Sequence, residues 1–330
     1  MDILNAVKLA KMATGRNLPA YENIAIVNGE KMIATNGMIR MEIDVDMGGI
    51  DCAVDGSKLS ASLGKFRSPS FEHSDNKLTI KEGRSRASIP YTPSSEFPVF
   101  MESANGTIAP VELITSIKRV AFAAADGDVR GYLNGVYVGS IGGKAVAVAS
   151  NGHVISYSKI DDACEYRPAI IPIQAISAID SIKATSIEIG TKIVFNGDDV
   201  ELTVNPIDGK YPDWERVIPK ISQTLTVNRA ALIDALGKVS IVSNEKMQAG
   251  MMSITKGSIT ISTHHSESEA QAMLDCQATA DIDIGVNIRY LIDAATAIEG
   301  DTITIKYSDP LTALMFVSDS LSVVVMPMRV

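Results

Sequence analysis

The sequence predicts an α+β fold in which one unit, two helices packed on antiparallel strands, is repeated three times in tandem. Three observations carry this. An amphipathic helical pattern opens the chain at Ile3, Leu4, Val7, Leu9 and Ala10, with Lys8 and Lys11 on the other side. It returns at Val111, Leu113, Ile114, Ile117 and Val120, and again at Ala231, Leu232, Ala235, Leu236 and Val239, with starts about 110 residues apart. A second helical pattern follows each first one, and strands of period two fill the intervals.

In chain order, the first repeat places strands at Ile24 to Val27 and Lys31 to Ala34, a helix at Asp55 to Phe66, and strands at Lys77 to Lys81 and Ala87 to Tyr91. The second places strands at Gly135 to Ser140 and Ala145 to Ser150, and a helix from Pro172 to Lys183. Strands follow at Ile187 to Phe195 and Val200 to Val204, with Asn196-Gly197-Asp198 as the turn between them. The third places strands at Met251 to Thr255 and Ser258 to Thr263, and a helix at Val286 to Ile298. Strands at Thr302 to Tyr307, Ala313 to Val317 and Leu321 to Val325 complete it. Linkers rich in Gly, Asn, Thr and Pro fall at Glu102 to Ala109 and Pro219 to Thr224, so the expected domains are 1–104, 105–221 and 222–330. Cys52, Cys164 and Cys276 stand just before the second helix of each repeat, which fits this register.

Composition narrows the function. A chain of 330 residues is long for one core. No apolar run reaches the length of a membrane span, and no basic-then-apolar leader opens the chain, so a cytoplasmic protein is expected. Three scattered cysteines argue against a disulfide or zinc framework. A net charge of −9 argues against a generally basic DNA-coating surface and leaves room for a small basic region. Enzyme signals are poor. Gly139 to Lys144 lacks the first Gly and the Ser or Thr of a phosphate loop and reads as a turn between strands. His264-His265 has no metal-ligand spacing. No catalytic residue, metal or cofactor is expected.

The C-terminal stretch Val323-Val324-Val325-Met326-Pro327-Met328-Arg329-Val330 is too apolar for a solvated tail. The β-branched run should finish as a strand, and Pro327 should stop its pairing. Periodicity alone reads it as a core strand; the alternative is one wall of a peptide groove, lined by adaptable methionine. Asn151-Gly152-His153 reads locally as a tight turn. Trp214, among Tyr211, Pro212 and Pro219, should cover a large area at a domain junction.

The terminal octapeptide resembles the C-terminal signature of the bacterial beta sliding clamp family, the processivity subunit of the replicative DNA polymerase. DVRGYLNGVYV from Asp128, ASNGHVISYS from Ala149 and GKYPDWERVIPK from Gly209 match that family in the same order. SIVSNEK from Ser240 matches more weakly, and the first hundred residues match mainly at GRSRASI from Gly83 and SSEFP from Ser94. The resemblance implies three DNA-clamp repeats per chain and a head-to-tail homodimer forming a sixfold pseudo-symmetric ring around duplex DNA. By the same resemblance, the first strand would be shortened at the N-terminus. The ring would catalyse nothing. It would tether the replicative DNA polymerase and serve the clamp loader and other clamp-motif proteins, with no membrane partner.

The resemblance also implies roles for residues. The pocket for clamp-binding peptides would comprise Leu133, Ser150, Gly152, His153, Val154, Ile155, Pro212, Arg216 and Val217, with Val324, Val325, Met326, Pro327, Met328, Arg329 and Val330. The family has Arg where Val154 stands, so a charge leaves the rim. Sparse DNA contacts would come from Arg16, Arg130, Tyr132 and Lys220. At the subunit interface, Arg84, Arg86, Ala87 and Ile89, with Lys58 nearby, would meet Ile241 and Val242 of the other copy. Ala87 replaces the family's usual bulky aromatic. That and the short N-terminus support a rival reading, a monomeric peptide-binding scaffold that no longer closes a ring.

Overall fold

The structure, a computed structural model, describes residues 1–98, 106–163, 165–243 and 248–329. Cys164 and Val330 lie outside the described residues, as do residues 102–105 of the first expected linker and Asn244, Glu245 and Lys246 of the weaker family match.

The first repeat runs α1 (Ile3–Met12), β1 (Asn23–Val27), β2 (Lys31–Thr35), β3 (Ile39–Asp44), β4 (Cys52–Asp55), α2 (Gly56–Leu63), β5 (Ser70–Ser74), β6 (Lys77–Glu82) and β7 (Ser85–Thr92). The second runs β8 (Thr107–Ala109), α3 (Glu112–Val120), β9 (Gly135–Ile141), β10 (Lys144–Ser150), β11 (Val154–Ala163), β12 (Ala169–Pro172), α4 (Ile173–Ser181), β13 (Ser186–Ile189), β14 (Ile193–Gly197) and β15 (Val200–Val204). The third runs β16 (Gln223–Asn228), α5 (Arg229–Ser240), β17 (Ala249–Ile254), β18 (Ser258–His265), β19 (Ser268–Ala278), β20 (Ile282–Asn287), α6 (Ile288–Ala297), β21 (Thr302–Tyr307), β22 (Leu314–Val317) and β23 (Leu321–Val325). Each repeat is thus a helix, four strands, a helix and three strands, with β8 and β16 ahead of the second and third.

Local chemistry starts the helices. The side chains of Asp2, Asp55, Asn228 and Asn287 each accept a backbone N–H from the first turn of α1, α2, α5 and α6. Glu112 opens α3 while Lys118 and Arg119 close it, complementing the helix dipole. Each helix buries one stripe, such as Ala6, Val7 and Ala10 in α1, or Leu232, Ala235, Leu236 and Val239 in α5. Strands β17 and β18 alternate inward and outward, as period-two sequence requires.

The chain divides into two compact units, Met1–Ile114 with Cys164–Ile207, and Thr115–Ala163 with Asp208–Val330. The first unit is organised on one antiparallel sheet in the order β5-β6-β7-β4-β1-β2-β3-β15-β14-β13-β8. The second contains the run β9-β10-β11-β23-β22-β21-β16-β19-β18-β17-β20. In each unit two repeats meet along a single strand pair. β3 pairs with β15 from Ile39↔Val204 to Ile43↔Val200, and β11 pairs with β23 from Val154↔Val325 to Ser158↔Leu321.

Several expectations are corrected. Ile187 to Phe195 is two strands, because the chain turns at Gly190-Thr191-Lys192 and pairs β13 with β14. The second helices are shorter than their apolar periodicity; α2, for instance, ends at Leu63. The cysteines do not share a position: Cys52 opens β4 directly before α2, whereas Cys276 lies in β19, with β20 between it and α6. Burial, with Asp51 nearby, pushes the Cys52 thiol up to about 12, so it packs as a small hydrophobe.

Two positions test this packing. The Ser156 hydroxyl is fully buried without a partner among the described residues. Ser156→Ala removes an unsatisfied polar atom and should raise stability by about 0.5–1 kcal/mol. A Cβ on Gly197 would overlap the Ile182 carbonyl oxygen, so Gly197→Ala should cost about 2–3 kcal/mol. Denaturant melts of both variants measure the opposed signs.

Candidate peptide-binding site and nucleic-acid-facing residues

The site is built where β23 ends. Val323, Val324 and Val325 are buried between β11 and β22. Beyond them the Met326 N–H donates to the His153 carbonyl at 2.9 Å. Pro327 has no N–H to give, and pairing stops. The Met328 N–H then donates to the Gly285 carbonyl at 2.8 Å, which pins the tail across the end of the sheet. Met326, Pro327 and Met328 are half-buried there, and Arg329 is exposed.

The facing wall is the turn between β10 and β11. The Ser150 hydroxyl donates to the Val154 carbonyl at 2.9 Å and accepts the Gly152 N–H at 3.1 Å. The Asn151 side chain accepts the N–H groups of His153 and Val154, both at 2.9 Å. Gly152 has φ 89°, a left-handed conformation that suits glycine. This network holds the His153 ring in a near-parallel stack on Tyr290 of α6, with centroids 6.0 Å apart.

Arg130 lies over the same turn. A methyl group on Gly152 would sit 3.0 Å from its guanidinium. Asp128 holds that guanidinium in a two-point fork, Nε to Oδ1 at 3.0 Å and NH2 to Oδ2 at 2.8 Å. The fork, reinforced by the Arg130 backbone N–H, pulls the Asp128 carboxyl down to about 2. Arg130, expected among the DNA contacts, is therefore placed beside His153. The segment after Gly209 carries three more of the expected residues. Pro212, Arg216 and Val217 are exposed there, and Arg216 pairs with Asp213 at 2.7 Å. Trp214 is buried against Tyr157, at 5.1 Å between ring centroids.

Other expected residues are placed differently. Val154 is 2% exposed inside the sheet. Arg130, His153, Arg216 and Arg329 are all exposed. Ser150, Ile155 and Leu133 are also buried. Ile89 is 4% exposed and faces its own core, because alternation along β7 turns it opposite to the exposed Arg86, Ser88 and Pro90. Ala87 is half-buried on the side of Ile89. Ile241 is 80% exposed as the cap of α5, and Val242 is half-buried. Arg84 and Arg86 are exposed, and Lys58 pairs with Asp55 at 3.5 Å. Arg16 and Lys220 are exposed, and Tyr132 is half-buried beside Gly209.

Tyr290, Asp128 and the edge of β19 escape sequence reading. Tyr290 comes close only through tertiary structure. Asp128 had a legible signal, an acid two residues before Arg130. β19 had one too, in the strict alternation of Ser268 to Ala278.

The fork has a measurable titration. The folded pKa of Asp128 is depressed, so the ion pair is present above the ordinary carboxylate range and is lost as pH falls through about 2. Carboxyl-carbon NMR should show Asp128 ionised down to about pH 2, and Arg130→Ala should return it towards the ordinary range.

Comparisons with known proteins agree with this architecture. Residues 107–213 match the central domain of the DNA polymerase III beta subunit, and residues 215–329 match its C-terminal domain. The beta sliding clamp of Caulobacter vibrioides NA1000 is 30% identical over 284 residues, covering 79% of this chain and 76% of that protein. The beta sliding clamp of Pseudomonas aeruginosa PAO1 is 30% identical over 276 residues, covering 77% and 74%. A crystal structure of the Pseudomonas aeruginosa DNA polymerase sliding clamp superposes with a TM-score of 0.91 at 25% identity, covering 99% of this chain and 97% of that one. A second, with griselimycin bound, gives the same values. In sequence over most of its length and in fold over nearly all of it, the chain belongs to the bacterial beta sliding clamp family, the non-catalytic processivity subunit of DNA polymerase III.

Proposed function

We propose that two copies of this chain close head to tail into a ring around duplex DNA. Each copy contributes three clamp domains, residues 1–104, 105–221 and 222–330. The ring tethers the replicative DNA polymerase, and the site at β23 receives the peptide motifs of the polymerase, the clamp loader and other partners. The homologous clamp solved with griselimycin supports a ligand-binding role for this family.

One observation carries the closure. Two repeat junctions are made by the same strands, the third strand of one repeat's four with the last strand of the next repeat's three: β3 with β15, and β11 with β23. The series leaves β19 and β7 over. Among the described residues, β19 pairs with β18 along Ser268–Asp275 and with β16 only at Cys276–Ala278. β7 pairs with β6 and meets β4 only at Tyr91 and Thr92. Each presents an unpaired edge to another chain. The edges are complementary in charge: Arg84 and Arg86 flank one, Glu267, Glu269 and Asp275 the other. Because α1 also touches α4 across the first junction, the same geometry brings Ile241 at the end of α5 towards Lys58 on the partner's α2. Pairing of this kind is heterologous, and a ring results when its rotation closes.

DNA association is then topological. Arg16, Tyr132 and Lys220, with Arg130 shared between duplex and peptide, supply few contacts on a protein of net charge −9. Phosphate contacts carry no sequence information, which suits sliding.

Deleting Met326–Val330 should abolish binding of a labelled peptide bearing Leu and Phe anchors, measured by fluorescence anisotropy, while the thermal melt and the dimer persist. Undiminished affinity would remove the site assignment. Ile241→Asp should give a folded monomer by sedimentation over a dilution series, because closure would bury an unpaired charge. The same variant should fail to remain on circular DNA. A dimer that survives this substitution would mean that the chains pair through another surface.

A further inference from the structure

The peptide-site turn has a twin in the first unit. Thr35-Asn36-Gly37-Met38-Ile39 repeats Ser150-Asn151-Gly152-His153-Val154 bond for bond. The Thr35 hydroxyl donates to the Ile39 carbonyl at 2.8 Å and accepts the Gly37 N–H at 3.1 Å. The Asn36 side chain accepts the N–H groups of Met38 and Ile39, both at 2.9 Å, and Gly37 has φ 86°. The strand end is repeated as well. After Val204, the Asn205 N–H donates to the Met38 carbonyl at 2.9 Å, Pro206 follows, and the Ile207 N–H donates to the Ile170 carbonyl at 2.8 Å. These bonds copy those of Met326, Pro327 and Met328. The supporting short helices correspond too, since the Tyr21 N–H donates to the Leu18 carbonyl as the Leu133 N–H does to the Arg130 carbonyl.

Several side chains differ between the two frames, and two of these differences bear on the turn and the strand end. Where the first site has the short Leu133, the twin has Tyr21, whose ring reaches the turn. A methyl on Gly37 would lie 3.1 Å from the Tyr21 hydroxyl and 3.3 Å from its ring. Where the first site has Met326, the twin has Asn205. Its amide donates to the Gly37 carbonyl at 2.8 Å, and its oxygen accepts from the Lys192 ammonium. An unbranched thioether can move aside for a ligand, whereas a bonded amide is held.

We propose that the β3–β15 junction is a second peptide cleft held shut by Tyr21 and Asn205. These two residues then determine that each chain takes its peptide only at the β11–β23 junction. The inference rests on the peptide reading of that junction. The occupant of the opened twin is the same class of segment, a short peptide with apolar anchors. The backbone frame is the same, and Leu18 and Met38, 51% and 38% exposed, already offer apolar surface beside the turn.

The test transplants the residues of one junction into the other and titrates the full-length chain with the Leu- and Phe-anchored peptide by calorimetry. The unaltered chain should bind one peptide, lost on deletion of Met326–Val330. Tyr21→Leu with Asn205→Met should bind two, and one should survive that deletion. The reciprocal Leu133→Tyr with Met326→Asn should lose affinity by about tenfold or more while its melt stays cooperative. Two peptides on the unaltered chain, or one on a folded Tyr21→Leu/Asn205→Met chain, would overturn the inference. Should that variant fail to fold, unchanged affinity in the reciprocal one would overturn it equally. No binding by the unaltered chain would sink the peptide reading itself, and this inference with it.

Discussion

The antiparallel strand pair that joins successive repeats is the constraint on which the rest depends. At β3–β15 and β11–β23 the backbone ladder continues from one repeat into the next without a change of direction. Five residue pairs in each case set register, and at β3–β15 the alternation of buried Met41 and Leu202 with the half-buried Arg40, Glu42 and Glu201 locks it, because a one-residue slip would exchange the two faces. A junction of this kind is rigid and directional. It also repeats, so whatever geometry it imposes once is imposed at each junction.

In the proposed reading, function is placed at the ends of those strands for the same reason. Where β23 leaves the sheet, Pro327 removes a ladder donor and the chain crosses over its neighbour. A half-buried apolar segment is thereby left against a turn that Ser150 and Asn151 make rigid. In that reading the ordered turn and the adaptable methionines play opposite parts: one wall would fix the position of a bound segment, and the other would mould to its anchors. The corresponding strand end after β15 keeps the same backbone frame with Tyr21 and Asn205 in place of Leu133 and Met326.

Charge is distributed to match. The acidic body keeps non-specific attraction to DNA low, while Arg130 and Arg216 are each held by a nearby aspartate. A protein that holds DNA by enclosure has no need of a strongly basic face. In the proposed ring, residence time comes from the closed strand edges and not from phosphate contacts.

The sequence by itself determined the repeated order of helices and strands, the capped starts of four helices, the turn at Asn151 and the stop at Pro327. All of these are encoded within a few residues, through periodicity, side-chain caps and the missing proline N–H. It also carried the family signature from which the β23 site was assembled. Only the tertiary structure decided the rest. Met41 and Leu202 are neighbours across about 160 residues of chain, and no local pattern names such a partner. The tertiary structure turned Ile89 inward, buried Val154, set Tyr290 under His153 and laid Arg130 over Gly152. It also revealed that Thr35–Ile39 and Ser150–Val154 are one motif used twice. Which face a strand residue takes, and what covers a turn, is set by the sheet and helices packed against it, and those are chosen by burial of the whole chain.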